Sequence, residues 1–365
     1  MAKPAEELQT TMDNIPYFYK WQKGEGVDVV DTFFIQDLKE VPLKWWDRMG
    51  GDGTLFNMEG AGDATGAYIV EIAPGKSLNP MRHLYEELIL VVQGRGATTI
   101  WNDNGAKQTF EWQEGSLISV PLNVHHQHFN GQGDKPARLF SVNNMPIVFS
   151  LFHNEQFIFN TPYDFQDRFD GRPDFFSSKG TQHPGRIWET NFIADTRTFN
   201  LQEWKERGAG GKNVFLEMCD GTMAAHISEF PVGTYKKAHR HGPGFNVIII
   251  KGQGFSLFWW EGEEPKRYDW QDGSVFVPPE MMFHQHFNLG PSGARYLPLR
   301  FGGIKHSMGE GYGDISKVDK DVKSGGNQIE YYDQPAYIRE MFESDMTKLG
   351  AESRMDGNVY VKPAA

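Results

Sequence analysis

Cysteine is all but missing from this chain: 365 residues include one, Cys219. A lone thiol can form no internal disulfide and takes cysteine out of any metal cluster, so a reducing compartment, the cytoplasm, is expected. Cys219 reads as a small buried side chain rather than a reactive one. Basic residues are also short, 36 Lys and Arg against 48 Asp and Glu, for a formal charge of -12. Nucleic acid and anionic membrane both want a basic surface, so neither is expected as a partner. A small anionic substrate is not excluded, because a cation inside a pocket can dominate the local field. No apolar run approaches the roughly 18 to 20 residues that span a bilayer. The start MAKPAEELQT has neither a basic leader nor an apolar stretch.

Turn formers and aromatics are plentiful, with 40 Gly, 20 Pro and 14% Phe, Trp and Tyr. That balance favours strands and turns over long helices, and an all-β fold is expected. The length suffices for two domains, each with its own core.

A repeat shows where to divide the chain. Adding 158 to each number lays Gly75, Met81, His83, Glu87, Gly94, Gly115, Pro121, His126 and Asn130 over Gly233, His239, His241, Phe245, Gly252, Gly273, Pro279, His284 and Asn288, without a gap. Upstream, Thr32, Phe34, Ile35, Asp37, Leu43 and Trp46 recur as Thr190, Phe192, Ile193, Asp195, Leu201 and Trp204 at the same offset. Register held over about a hundred residues points to duplication of a whole domain. Within each unit, short strands such as 68–72, 88–93, 98–101 and 117–120 are broken by Gly or Pro, and a small closed barrel per unit is expected. The division is an N-terminal arm at 1–24, a first barrel at 25–150, a connection over the surface at 151–186, a second barrel at 187–305 and a tail at 306–365. Lys305 to Gln328 reads as a loop. Ala336 to Lys348 has helical spacing in Ile338, Met341, Phe342 and Met346.

Residues two apart on a strand share a face, so a His-x-His pair aims two imidazoles at one point. His239 and His241 would thus meet His284 from a later strand, three neutral imidazoles suited to a divalent transition metal with positions left for substrate and oxidant. The first unit differs at two positions. Met81 stands for His239, and Phe245 stands for Glu87. His83, Glu87 and His126 make the two-histidine, one-carboxylate set used by many non-haem iron oxygenases, while the Met81 thioether is a poor ligand for a hard ion. The first set therefore reads either as a second metal site or as a decayed copy.

His128 and His286 each lie two residues beyond a motif histidine and share its direction. Either is a base or substrate contact, or else a structural histidine lining the barrel. His286, beside the full triad, is the candidate catalytic residue. His226 could enter the cavity, although packing is the simpler reading. Arg82, Arg240, Gln127 and Gln285 lie between inward-facing positions and read as structural.

The spacing G-x5-H-x-H-x3-E-x6-G followed by G-x5-P-x-G-x2-H-x3-N resembles the paired signature of the cupin superfamily, and the chain looks like a bicupin. The second unit departs at Phe245 for Glu and Met281 for Gly, and the first at Met81 for His and Asn123 for Gly. The resemblance implies two tandem double-stranded β-helix (jelly-roll) barrels with short helical arms and a C-terminal helix. Among bicupins, the three-histidine set resembles the ring-cleaving gentisate and salicylate dioxygenases, although there it occupies the first barrel. Manganese oxalate decarboxylases keep the glutamate in both barrels, and Phe245 argues against that reading.

The expectation is a cytoplasmic, homo-oligomeric enzyme holding Fe(II) on His239, His241 and His284, a dioxygenase of an aromatic or enolizable small anion. Alternatives are a hydrolase, decarboxylase or isomerase using Mn, Zn or Ni as Lewis acid, and a cupin that binds a small ligand without catalysis.

Overall fold

The computed structural model describes residues 15–242, 244–307, 317 and 319–362. Most of the arm expected at 1–24 and the middle of the loop expected at Lys305 to Gln328 lie outside the described residues. The remaining architecture is two β-barrels, each made of one large and one small sheet. In the first barrel the large sheet runs, in spatial order, through Asp28–Thr32, Gly51–Met58, Gly66–Ile72, Ala137–Asn143, Glu87–Gln93 and Leu117–Val120. The small sheet is His125–Asn130, Arg95–Trp101 and Lys107–Gln113. The second barrel repeats this plan, with Lys212–Met218, Met223–Phe230, Ala294–Phe301, Asn246–Lys251 and Val275–Phe276 in its large sheet.

The two large sheets lie back to back, and their strands are buried on both faces. In Glu87–Gln93 one parity, Leu88, Leu90 and Val92, enters the apolar layer between the barrels, while Ile89 and Val91 enter the first barrel's own core. Asn246–Lys251 does the same, with Ile248 and Ile250 toward the neighbour and Val247 and Ile249 inward. Such strands read as near-continuous apolar runs, and their alternation fixes which residues look into each barrel. Glu87 and Phe245 fall on the inward parity.

The repeated segments upstream of the histidines turn out to be exchanged. Phe34–Ile35 pairs with Phe276 and Val275 of the second barrel, and Phe192–Ile193 pairs with Ile118 and Leu117 of the first. Each barrel therefore does not close on itself alone, as the sequence suggested, but has an edge covered by a strand from the other half. The motive is physical: an uncovered edge presents unpaired backbone groups. The 158-residue register also slips by one beyond the motifs. Ala137 faces Ile72 in the first barrel, but Ala294, not Arg295, faces Phe230.

The stretch 151–186 is more than a surface connection. It carries the end of a helix at Met145–Phe152, a second helix at Glu155–Asn160, and a strand at Gly180–His183. Ile158, Phe159, Phe169, Phe175 and Phe176 are buried in the first barrel's core, and Phe176 stacks on Phe110 at 4.2 Å. Ala336–Lys348 is helical throughout and buries Ile338, Phe342 and Met346 against Tyr235, Phe255 and Phe287.

Because the halves exchange strands and share one apolar layer, residues 1–186 and 187–365 expressed separately should give no cooperative melting transition. The whole chain should melt in one. Calorimetry of both fragments and the full chain checks this, and an independently folded half would contradict the exchange.

Candidate metal centres

Strand pairing brings the second triad together. His239 sits directly opposite His284 in an antiparallel pair, and His241 follows two residues on. Ring centroids are 4.1 Å apart for His239 and His284, 4.7 Å for His241 and His284, and 5.7 Å for His239 and His241. In the first barrel Met81 occupies the His239 position, bridged to His126 through both backbone groups. There His83 and His126 are 4.9 Å apart, with Glu87 Oε1 at 3.2 Å from His83 Nε2 and 3.7 Å from His126 Nε2. In each triad one ligand atom per residue falls within 4.8 Å of the others.

The tautomers fit metal binding. Every one of these histidines places Nδ1 against a backbone carbonyl: His83 on Tyr85 at 2.8 Å, His126 on Val124 at 3.3 Å, His239 on Lys237 at 3.4 Å, His241 on Gly242 at 2.9 Å and His284 on Met282 at 3.0 Å. A carbonyl only accepts, so Nδ1 holds the proton and the Nε2 lone pair faces the triad centre. Burial, the largest cause, favours the neutral ring in four of them. It drives His239 and His284 well below the usual histidine range, His241 to about 4 and His126 to about 3. For Glu87 burial alone would raise the carboxyl, but the facing His83 and His126 rings, when they carry a second proton, outweigh it and, with the Tyr68 hydrogen bond, hold it at about 2. With His83 donating from Nδ1, its Nε2 lone pair points at a carboxylate oxygen. That contact is repulsive unless a proton or a metal ion lies between.

Around these triads the two barrels part company. Glu87 is fully served, since Tyr68 donates to Oε2 at 2.6 Å and Ser141 to the same oxygen at 2.7 Å. Tyr85 stacks flat on His83 at 3.5 Å. The connection is tied over this end by Arg82, which donates to Asp164 at 2.6 Å, and by Asn123, which donates to the Thr161 and Tyr163 carbonyls. Arg82 is thus structural, as expected, and so are Gln127 and Gln285, which donate to the Leu78 and Lys236 carbonyls.

The second triad opens instead on a cavity of about 40 Å³, lined by its three histidines with His226, His286, Arg207, Phe245, Tyr296 and others. On this measure a water needs about 10–15 Å³, and benzene sits in a cavity of roughly 150 Å³. His226 therefore does enter the cavity, against the simpler reading of its sequence. Arg207 and Asp319, with nitrogen and oxygen 3.7 Å apart, carry no motif and were not legible from sequence; Trp204, whose Nε1 donates to Asp319 at 2.9 Å, stood out only as a member of the upstream repeat.

His286 and His128 have identical supports. His286 Nδ1 lies 2.7 Å from Ser256 Oγ, which accepts from Trp270 Nε1 at 2.9 Å, and His128, Thr98 and Trp112 repeat the chain at the same distances. An indole only donates, so the hydroxyl proton is left for His286 Nδ1. The Nε2 proton of His286 then faces the cavity, which His286 lines. Cys219 is buried, and burial pushes its thiol up to about 12, the inert side chain that was expected.

A cupin-domain family model matches residues 68–143. Among solved structures, Lactobacillus farciminis oxalate decarboxylase in complex with formate is 14% identical, with 86% of this chain and 93% of that one covered and a TM-score of 0.51. A variant of Bacillus subtilis oxalate decarboxylase is 13% identical over 90% and 88%, also at 0.51. A further structure of the Bacillus subtilis protein, described through its Mn(II) centres, is 14% identical over 75% and 78% at 0.50. No curated protein sequence matches. At such identity the likeness is one of fold: residues 68–143 match a cupin domain, and the chain has the architecture of two tandem barrels. These relatives lend nothing to the gentisate-type resemblance, which rests on the three-histidine set alone.

Two consequences are measurable. Elemental analysis of protein purified without added metal should give up to two divalent ions per chain, one lost in His284→Ala and the other in His83→Ala. His126, His239, His241 and His284 hold folded values below the ordinary 6.5, so the unfolded chain takes up protons first. Their contribution to stability is then complete above about pH 6.5 and is lost as pH falls toward about 4. The melting temperature of metal-stripped protein should drop across that window, and a flat profile would contradict the buried neutral triads.

Proposed function

We propose that this bicupin is a metal-dependent enzyme whose second barrel acts on a small carboxylate anion by redox-neutral chemistry, decarboxylation first among the options. The observation that carries the reading is the second cavity, about 40 Å³ in volume and lined by histidines and the Arg207–Asp319 pair. That is room for a few heavy atoms and not for an aromatic ring, which sets the aromatic dioxygenase expectation behind its alternative. The fold relatives, which are oxalate decarboxylases, support the same order.

His239, His241 and His284 would hold the ion. Imidazole sites accept Mn, Fe, Ni or Zn. When bound, such an ion supplies Lewis acidity toward a carboxylate. The chain's own residues do the rest. Phe245 gives the cavity an apolar wall beside His241, at 4.1 Å between rings, and limits water around the triad. Arg207 lines the cavity as a cation for the substrate's charge. His286, held by Ser256, presents an N–H to the cavity, at 5.5 Å between rings from His284 and 6.2 Å from His239. Loss of CO2 from R–COO⁻ leaves an electron pair on carbon, which takes up one proton from water to give R–H and hydroxide; His286, kept neutral by burial, is placed to position that water through its ring N–H. His83, Glu87 and His126 would form a second, closed site that contributes to stability more than to turnover.

The three-histidine set without a carboxylate still favours one second reading, an Fe(II) dioxygenase, since it leaves the ion's charge undiminished for an anionic chelate and O2. Gas analysis separates the two. Incubation with small carboxylic acids, oxalate among them, should release CO2 without net O2 consumption. Stoichiometric O2 uptake would sink the redox-neutral reading. His286→Gln should lower kcat by about 10²-fold with metal content unchanged, whereas a wild-type rate would remove His286 from the proton's path.

A further inference from the structure

The second barrel buries basic side chains whose nitrogens lack hydrogen-bond partners among the described residues. Arg300 is 1% exposed and Lys236 0% exposed, and neither Lys236 Nζ nor any of the three Arg300 guanidinium nitrogens has a hydrogen-bond partner among the described residues. Buried charges are ordinarily paired, because an uncompensated one is strongly destabilising. His226 Nδ1 is likewise without a partner.

His226 lines the cavity, and Arg300 and Lys236 pack behind its walls. In Ala294–Phe301 the residues Leu297, Leu299 and Phe301 face the layer between barrels, so Arg300 shares the inward parity of Tyr296 and Pro298, both of which line the cavity. Arg300 pairs with Ala224 on the neighbouring strand, two residues from His226 and on the same face. Its guanidinium carbon lies 5.2 Å from the Phe245 ring. Lys236 Nζ lies 4.6 Å from the Tyr296 ring and 5.7 Å from the Trp204 ring, two further walls of the cavity.

Three acids lie nearby, none of them hydrogen-bonded to Arg300 or Lys236, and one of them, Asp319, lines the cavity itself. Glu217, the acid whose charge reaches Arg300, accepts from the backbone N–H groups of Ile304 and Lys305. Glu229 pairs with Arg295 at 2.8 Å, and Asp319 faces Arg207. In the first barrel the positions of His226, Lys236, Phe245 and Arg300 are Tyr68, Leu78, Glu87 and Asn143. The second copy has exchanged a satisfied carboxylate for unsatisfied cations.

We propose that the second barrel recognises a compact dianion, one anionic group directed at the histidine triad and the other held on the His226 side of the cavity in the field of Arg300 and Lys236. This rests on reading the second barrel as the substrate site. The second group is a carboxylate or a phosphonate-type oxyanion, since both accept from guanidinium and ammonium donors.

The test is calorimetric binding to the metalloprotein as purified, with malonate and phosphonoacetate as two-headed anions and acetate as the matched monoanion. The two-headed anions should bind at least about tenfold more tightly, and Arg300→Gln and Lys236→Met should each remove about tenfold of that preference while metal content stays at the wild-type value. The tighter of malonate and phosphonoacetate identifies the second group. Equal affinity for acetate and the two-headed anions, or a preference that survives both substitutions, overturns the proposal. A second readout guards against misfolding: Lys236→Met should raise the melting temperature of ligand-free protein, because it deletes an unpaired buried donor, and a large fall would show that Lys236 is paired and overturn its part. Neither arm requires turnover. Dianion selectivity without turnover leaves this inference standing and sinks the decarboxylase reading, and turnover without selectivity does the reverse.

Discussion

The apolar layer between the two large sheets buries its strands on both faces, and this constraint governs what each barrel can contain. One parity of Glu87–Gln93 and of Asn246–Lys251 is spent on the neighbouring barrel, so the other parity is committed to the interior. A residue of that second parity has no route to solvent. Anything polar there must be bonded within the barrel, bind a ligand, or cost stability. Exchange of Phe34–Ile35 and Phe192–Ile193 locks the layer in place by covering an edge of each barrel with the other half.

Under that constraint the duplicated interiors reached opposite solutions. In the first barrel Tyr68 and Ser141 satisfy one oxygen of Glu87 and the other faces the two histidines, with Tyr85 stacked on His83 and the connection tied across by Arg82 and Asn123. That interior carries its own carboxylate. In the second barrel Phe245 replaces the acid, and His226, Lys236 and Arg300 are left with nitrogens that nothing in the described chain accepts from. Donors left without acceptors at Arg300 and Lys236 suit an anion brought from outside, whereas the first barrel carries its own in Glu87.

Much of the fold was legible because the period-2 signal and the Gly and Pro breaks are local. The expected strand at 117–120 is Leu117–Val120, and the expected helix is Ala336–Lys348. His-x-His spacing likewise placed His239, His241 and His284 together, since strand alternation needs no knowledge of the partner strand. What stayed hidden depended on distant pairing. The repeat of Thr32 to Asp37 at Thr190 to Asp195 was visible, but its meaning as an exchanged strand required knowing that Phe34 lies against Phe276. The phenylalanines of 151–186 gave no period, and only packing shows Phe169, Phe175 and Phe176 inside the first core. Arg300 did leave a trace, a charge within the buried run LPLRF, which marks a site only once both faces of that strand are known to be covered.

The sequence by itself determined the duplication, the all-β class and the two ligand triads, because spacing along a strand dictates which side chains share a face. Only the tertiary structure decided which triad faces a cavity, which edges are exchanged, and which buried cations lack partners. Those facts depend on what approaches each face from elsewhere in the chain, and a local periodicity carries no information about that.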